Sequence, residues 1–156
     1  MAVRKILQYG DKRLNTICDK VEKVNKKILN LVDDMMDTLY EGTGIGLAAP
    51  QIGILKRVIL IDLGEEEENP IIVINPKITA QSGNEKDYEG CLSYVGYEGE
   101  VFRPTDVTVE GIDVKGKPVI YKAQGLLARA FCHEIDHLDG VLYMSRAEEM
   151  HELNLE

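Results

Sequence analysis

Between residues 25 and 42 the apolar positions recur with the period of a helix, since Ile28, Leu31, Val32, Met35, Met36 and Leu39 fall on one face. Asn25 is placed to cap the start, and Gly42 to end the helix in a left-handed turn. From about residue 46 to 122 the pattern changes. Segments 57–63, 71–74, 105–113 and 119–122 are rich in β-branched residues and separated by Gly, Pro and Asn, which predicts strands. Lys115-Gly116-Lys117-Pro118 reads as a hairpin turn between the last two. The helical period returns over 124–138 and stops at Asp139-Gly140, and 146–153 is expected to form one more short helix. A helix, a run of strands and then a helix is an α+β order rather than a series of βαβ units.

Composition narrows the function classes. The 156 residues are 44% hydrophobic and 29% charged, as in an ordinary globular chain, and they fit one domain over 1–156 with an acidic tail at about 147–156. Lys and Arg number 18 against 27 Asp and Glu, a net charge of −9. That sign argues against direct nucleic-acid binding, which needs clustered cations to neutralise phosphate. No apolar run approaches the roughly 18–20 residues that span a bilayer, so no membrane role is expected. The apolar start of the chain is broken by Gln8, Gly10 and Asp11, which leaves no secretory signal core. Cys18, Cys91 and Cys132 are an odd number, which points to free thiols in a reducing, cytoplasmic setting. The run Glu65–Glu68 reads as a solvated turn.

The chemistry concentrates in the stretch His133-Glu134-Ile135-Asp136-His137. At about 100° per residue, the two histidines lie roughly 40° apart on one helical face and can reach a single ion. Glu134 projects beside them, where a carboxylate can take a proton from a polarised water without becoming a ligand. The opposite side, Leu127, Phe131, Ile135 and Leu138, is apolar, so the helix is expected to be buried. These features predict an α+β fold with mixed or antiparallel strands packed around a central HExxH helix and an N-terminal amphipathic helix. Two core histidines with a salt-bridged glutamate are the bland alternative.

Two ligands do not hold an ion tightly, and the candidates for a third are Cys91, His151 and the acidic residues, with Cys18 and Cys132 as competing thiols. Cys91 stands in Glu89-Gly90-Cys91-Leu92-Ser93, where small residues suit close approach to an ion. Cys132 lies about 100° round the helix from His133, and Cys18 has no motif around it. His151 falls in the acidic tail and reads as a surface residue. A third motif, Gly44-Ile45-Gly46-Leu47-Ala48-Ala49-Pro50-Gln51, completes no nucleotide-binding pattern, but Gln51 could present its amide to a developing oxyanion.

In combination and order, GIGLAAPQ (44–51), EGCLS (89–93) and HEIDH (133–137, continuing LDG) resemble the peptide deformylase family. The likeness runs from Ile6 to about Tyr143. It implies metal-dependent removal of the N-formyl group from the formyl-methionine of newly made polypeptides, with release of formate. It implies Cys91, His133 and His137 as metal ligands and Glu134 as general acid/base. Gln51 and the backbone N–H of Leu92 become the oxyanion donors. Ile45, Gly46 and Gly90 resemble the positions that hold an extended substrate, and the methionine pocket falls near Leu126, Arg129, Ala130 and His133. The implied cofactor is one divalent ion, Fe2+ in the cell, with Ni2+, Co2+ or Zn2+ able to substitute. The implied partners are N-formylmethionyl nascent peptides, in transient proximity to the ribosome.

Three positions depart from the family pattern: Cys132 where many members carry Gln, Val95 where Pro is usual, and Lys12 in place of Pro. They bear on packing and substrate preference rather than on the inferred ligands. The tail lacks the basic charge through which some relatives dock on the ribosome, so that contact is not carried over. A zinc peptidase sharing only HExxH would need Glu or His as third ligand, and a purely structural metal module would need a closed fourth ligand.

Overall fold

The computed structural model describes residues 2–64 and 70–153, so the acidic run Glu65–Glu68 lies outside the described residues. Helix α1 spans Lys26–Glu41 and begins where Asn25 Oδ1 accepts the backbone N–H of Ile28 at 3.1 Å. Gly42 follows it in extended backbone, with φ −105°, not in the left-handed turn expected. Helix α2 is Gly125–Leu138. Eight strands are described, in chain order β1 (Gly46–Ala48), β2 (Val58–Ile61), β3 (Ile71–Ser82), β4 (Glu85–Cys91), β5 (Tyr94–Arg103), β6 (Asp106–Ile112), β7 (Pro118–Gln124) and β8 (Glu149–Glu152). They form a five-stranded sheet in the order β1-β2-β3-β6-β7 and a three-stranded sheet in the order β4-β5-β8. Every pairing between these strands is antiparallel.

Strand β2 shows why the larger sheet sits where it does. Its four residues are all buried, and alternation sends Ile59 and Ile61 to one face and Val58 and Leu60 to the other. The first face packs with Phe131, Ile135 and Leu138 of α2, the second with Leu31, Met35 and Leu39 of α1. The end of α2 is pinned to this sheet by Arg57, whose guanidinium donates to Leu138 O at 3.0 Å and pairs with Asp139 at 2.9 Å. A cation there also complements the negative end of the helix dipole.

The sequence reading needs correction in three places. Strand β3 does not stop at Ile74: it passes through a register shift between Ile74 and Lys77. Asn75 adopts φ 54°, and its side chain exchanges two hydrogen bonds with the backbone of Val21, at 2.8 and 2.9 Å. An Asn-Pro pair that would normally end a strand is absorbed here as a bulge. Second, the hairpin β4–β5 carries no clear alternation, because much of β4 is exposed on both faces. Third, 146–153 is not a helix. A short 3-10 turn, Tyr143–Ser145, leads into β8, which pairs with the edge of β5 from Tyr97 to Glu100. Gly99 makes room for it, since a Cβ there would lie 2.5 Å from Met150 Sδ. The His151 expected in a frayed tail is therefore a half-buried strand residue.

Asn75→Ala is expected to cost about 2–4 kcal/mol in urea unfolding, from two lost hydrogen bonds and a left-handed backbone without its tolerant residue. Asn75→Gly should recover about 1 kcal/mol of that by removing the backbone cost alone. Equal stability of both variants with the parent would contradict this account of the bulge.

Candidate active site

Helix α2 is buried along nearly its whole length, and it brings His133 and His137 to one face with ring centroids 5.0 Å apart. The third member comes from the other sheet. Cys91 ends β4 at the tight connection to β5, and its Sγ lies 3.4 Å from His137 Nε2. One ligand atom from each of Cys91, His133 and His137 falls within 4.8 Å of the other two. A tetrahedral ion held at usual sulfur and nitrogen distances has a ligand–ligand edge of roughly 3.5 Å, so the set fits one cation. A second group, Glu100, Glu149 and His151, has similar spacing on the β5–β8 edge. None of its members is buried, and Glu100 is already engaged by Lys86 at 3.5 Å.

The two imidazoles of the first group are pushed in opposite directions. Burial disfavours the His133 imidazolium, but the Cys91 sulfur and the Glu89 carboxylate outweigh it and hold the pKa well above the usual histidine value. His137 is lowered well below it, because burial and the neighbouring His133 charge act together. A thiol and two imidazoles that converge at one point are a donor set suited to a divalent ion. Glu134 stands beside the ligand set and is 5% exposed. Burial pushes its pKa up to about 7, against the opposing influence of His133. Its Oε1 is buried and has no hydrogen-bond partner, so this oxygen remains available to a reactant. Gly46 is the residue that lets β1 pass so close, since a Cβ there would lie 2.5 Å from Glu134 Oε2.

Gln51 is 1% exposed and oriented at both ends of its amide. Its Oε1 accepts from Ala48 N at 2.9 Å, while Nε2 donates to Ser93 Oγ at 3.1 Å and lies 3.5 Å from Cys91 Sγ. A cleft of about 430 Å³ opens over these groups. It is lined by Ile45, Gly46, Gln51, Gly90, Cys91, Leu92, Leu126, Arg129, Ala130, His133 and Glu134; of the site residues that the family resemblance implies, His137 alone is not in the lining, and the competing candidates Cys18, Cys132 and His151 are not in it either. Arg129 lines the cleft with its guanidinium engaged elsewhere: it donates to Glu89 at 2.8 Å, Val101 O at 2.9 Å and Glu85 O at 2.8 Å. The lining also contains Val95, noted above as a departure from the family pattern, and Tyr88, Tyr94, Tyr97 and Leu153, which no motif marked.

The larger omission is Glu89. It is 7% exposed and accepts from His133 Nδ1 at 2.8 Å, from Arg103 at 2.8 and 3.0 Å, and from Arg129. Burial alone would raise its pKa, yet Arg103 and His133 hold it down at about 2. Arg103 continues to Asp136 Oδ2 at 2.6 Å, and Arg146 donates to the same oxygen at 2.6 Å and to Oδ1 at 3.1 Å. The bond from His133 Nδ1 to Glu89 leaves Nε2 free to face the ligand cluster. The EGCLS motif marked the position of Glu89 but not its partners, and a register shift separates it from Cys91 on β4. Arg103 carried no such mark. Cys18 and Cys132 are both core thiols, which burial pushes up to about 11.

A sequence profile described as polypeptide deformylase matches residues 3–152. Peptide deformylase 1 of Clostridium acetobutylicum is 49% identical over 149 residues, covering 96% of this chain and 97% of its own. The peptide deformylase of Lachnoclostridium phytofermentans is 50% identical over 154 residues, covering 98% and 94%. Among solved structures, a peptide deformylase from Legionella pneumophila superposes with a TM-score of 0.91 at 41% identity, covering 94% of this chain and 87% of that one. A profile match over nearly the full length, close relatives of the same size and the same fold leave one assignment: the chain belongs to the polypeptide deformylase family.

Proposed function

We propose that this chain removes the formyl group from the N-terminal formyl-methionine of newly made polypeptides and releases formate, with Cys91, His133 and His137 holding one divalent cation. The observation that carries the reading is the convergence of that thiol and both imidazoles beside the unpartnered, buried Glu134 Oε1, at the floor of an open cleft. Ferrous iron in the cell is the ion we assign, with nickel, cobalt or zinc able to replace it. When bound, the cation supplies Lewis-acid polarisation and makes water a nucleophile near neutral pH. The chain acts as a single catalytic domain in the cytoplasm, in transient proximity to the ribosome. Its HExxH helix is the central element, and α1 is the N-terminal amphipathic one.

The residues divide the work. Glu134 takes the proton of the attacking water and passes it to the leaving amine nitrogen, so one carboxylate serves as base and then as acid. Burial favours the second role, because a carboxyl taken out of water holds its proton more firmly until the leaving amine accepts it. The Gln51 amide and the backbone N–H of Leu92 donate to the oxygen on which negative charge develops. Gln51 is fixed before substrate arrives, because Ala48 and Ser93 hold its two ends. The extended substrate lies against Ile45, Gly46 and Gly90, with the methionine side chain near Leu126, Ala130 and the apolar body of Arg129. Glu89 works through His133, setting its tautomer and its ring orientation. The three-ligand set with sulfur, rather than a Glu or a third His, favours this reading over an internal-peptide-bond protease.

Formate release from formyl-Met-Ala-Ser by the anaerobically purified protein tests the activity, and cleavage of casein without formate release would overturn it. Glu134→Gln is expected to lower kcat by about 10²–10⁴-fold while the protein keeps its metal. Retained turnover would remove Glu134 from the mechanism. Glu89→Gln takes the carboxylate from Arg129 and leaves Arg103 with Asp136 alone, and is expected to cost about 3–5 kcal/mol in denaturant unfolding. It should also weaken metal retention by about 10–100-fold in a chelator competition. Unchanged metal retention would show that Glu89 does not orient His133.

A further inference from the structure

The N-terminal arm ahead of α1 is used by no step above, yet it is sewn directly onto the site. Leu7 N donates to Gln51 O at 2.7 Å, and Tyr9 N donates to Ser93 O at 2.7 Å. Between them, Gln8 Nε2 donates to Leu92 O at 3.0 Å and lies 3.3 Å from Ile6 O. Both neighbours are carbonyl oxygens, which settles that the NH2 end of this amide faces them. Three consecutive residues therefore join the segment that carries Gln51 to the turn that carries Leu92.

Gln8 is the one of these contacts made by a side chain, and it grips a particular peptide unit. The carbonyl of the Leu92–Ser93 peptide accepts from Gln8, and the N–H of the same peptide, on Ser93, donates to Cys91 Sγ at 3.4 Å. A donor on the carbonyl polarises the amide and makes its N–H a stronger donor, because hydrogen bonds in series reinforce one another. An N–H directed at a sulfur ligand withdraws charge from it and so lowers what the sulfur gives to a metal.

From this geometry we infer that Gln8 is a positioning residue for the Cys91 sulfur and the adjacent Leu92 N–H, acting through the Leu92–Ser93 peptide. The inference rests on Cys91 being a ligand of the bound ion, as proposed above. Gln8 is exposed, so its side chain contributes little to the core and can be exchanged without unfolding the chain. Gln8→Met keeps the length and removes the donor, and Gln8→Lys restores N–H donors one bond further out on a flexible stem.

The test uses full-length, cobalt-substituted protein, read by its sulfur-to-cobalt absorption band together with formate release from formyl-Met-Ala-Ser. Gln8→Met is expected to move the band to longer wavelength and to lower kcat on the order of tenfold, with KM and Tm close to the parent. Gln8→Lys should return both readings toward the parent values. A band unmoved in Gln8→Met would overturn the inference whatever happens to kcat, and so would a Gln8→Lys protein that behaves like Gln8→Met. Absence of the band from the parent protein would instead remove Cys91 from the ligand set, so failure of that reading is distinguishable from failure of this one.

Discussion

A carboxylate with almost no exposure to water holds this molecule's two halves in register. Glu89 belongs to the small sheet, yet its partners are Arg103 of that sheet and Arg129 and His133 of α2. Burying such a group is costly, and it is tolerated because cations and an imidazole donor surround it. The consequence is geometric. Cys91 lies two residues further along the same strand, so fixing Glu89 against α2 also fixes where the sulfur meets the two imidazoles. The proposed ligand set is drawn from two separate elements and needs such a tie, since sub-ångström placement decides whether a cation is held.

The rest of the fold supports that junction from behind. Strand β2 is buried on both faces and gives α2 and α1 opposite sides of one sheet on which to pack. Strand β1, one position further out, brings Gly46 against Glu134 where no side chain would fit. The GIGLAAPQ segment thus does two things: its glycine admits the carboxylate and its final residue aims an amide at the cleft. The N-terminal arm then links that segment to the turn after Cys91. Each of the three motifs is a side of the same enclosure.

How much of this the sequence disclosed depended on whether the signal was local. Helix α1 was legible from its apolar period and its Asn25 cap, and α2 from its period and the Asp139-Gly140 stop. Strands β2, β6 and β7 were legible as β-branched runs. Strands β4 and β5 were not, since a hairpin that rests on glycines and charged residues, with one face on the cleft, shows no clean alternation. Residues 146–153 were misread as helix because pairing with the β5 edge, a long-range contact, outweighs local propensity. At the site, the HExxH spacing is a helical geometry that arithmetic recovers, whereas the third ligand stayed open until the family resemblance singled out Cys91. The Glu89–Arg103–Asp136 network was hidden for the same reason as β8: its members are scattered along the chain, and only folding makes them neighbours.

The central claim is that one sulfur and two imidazole nitrogens grip a single ion. X-ray absorption at the metal edge of the anaerobically prepared protein addresses it most directly. The account predicts one sulfur at about 2.3 Å and two nitrogens at about 2.0–2.1 Å from the metal, with the remaining scatterers light. A coordination shell of nitrogen and oxygen alone, with no sulfur, would contradict it.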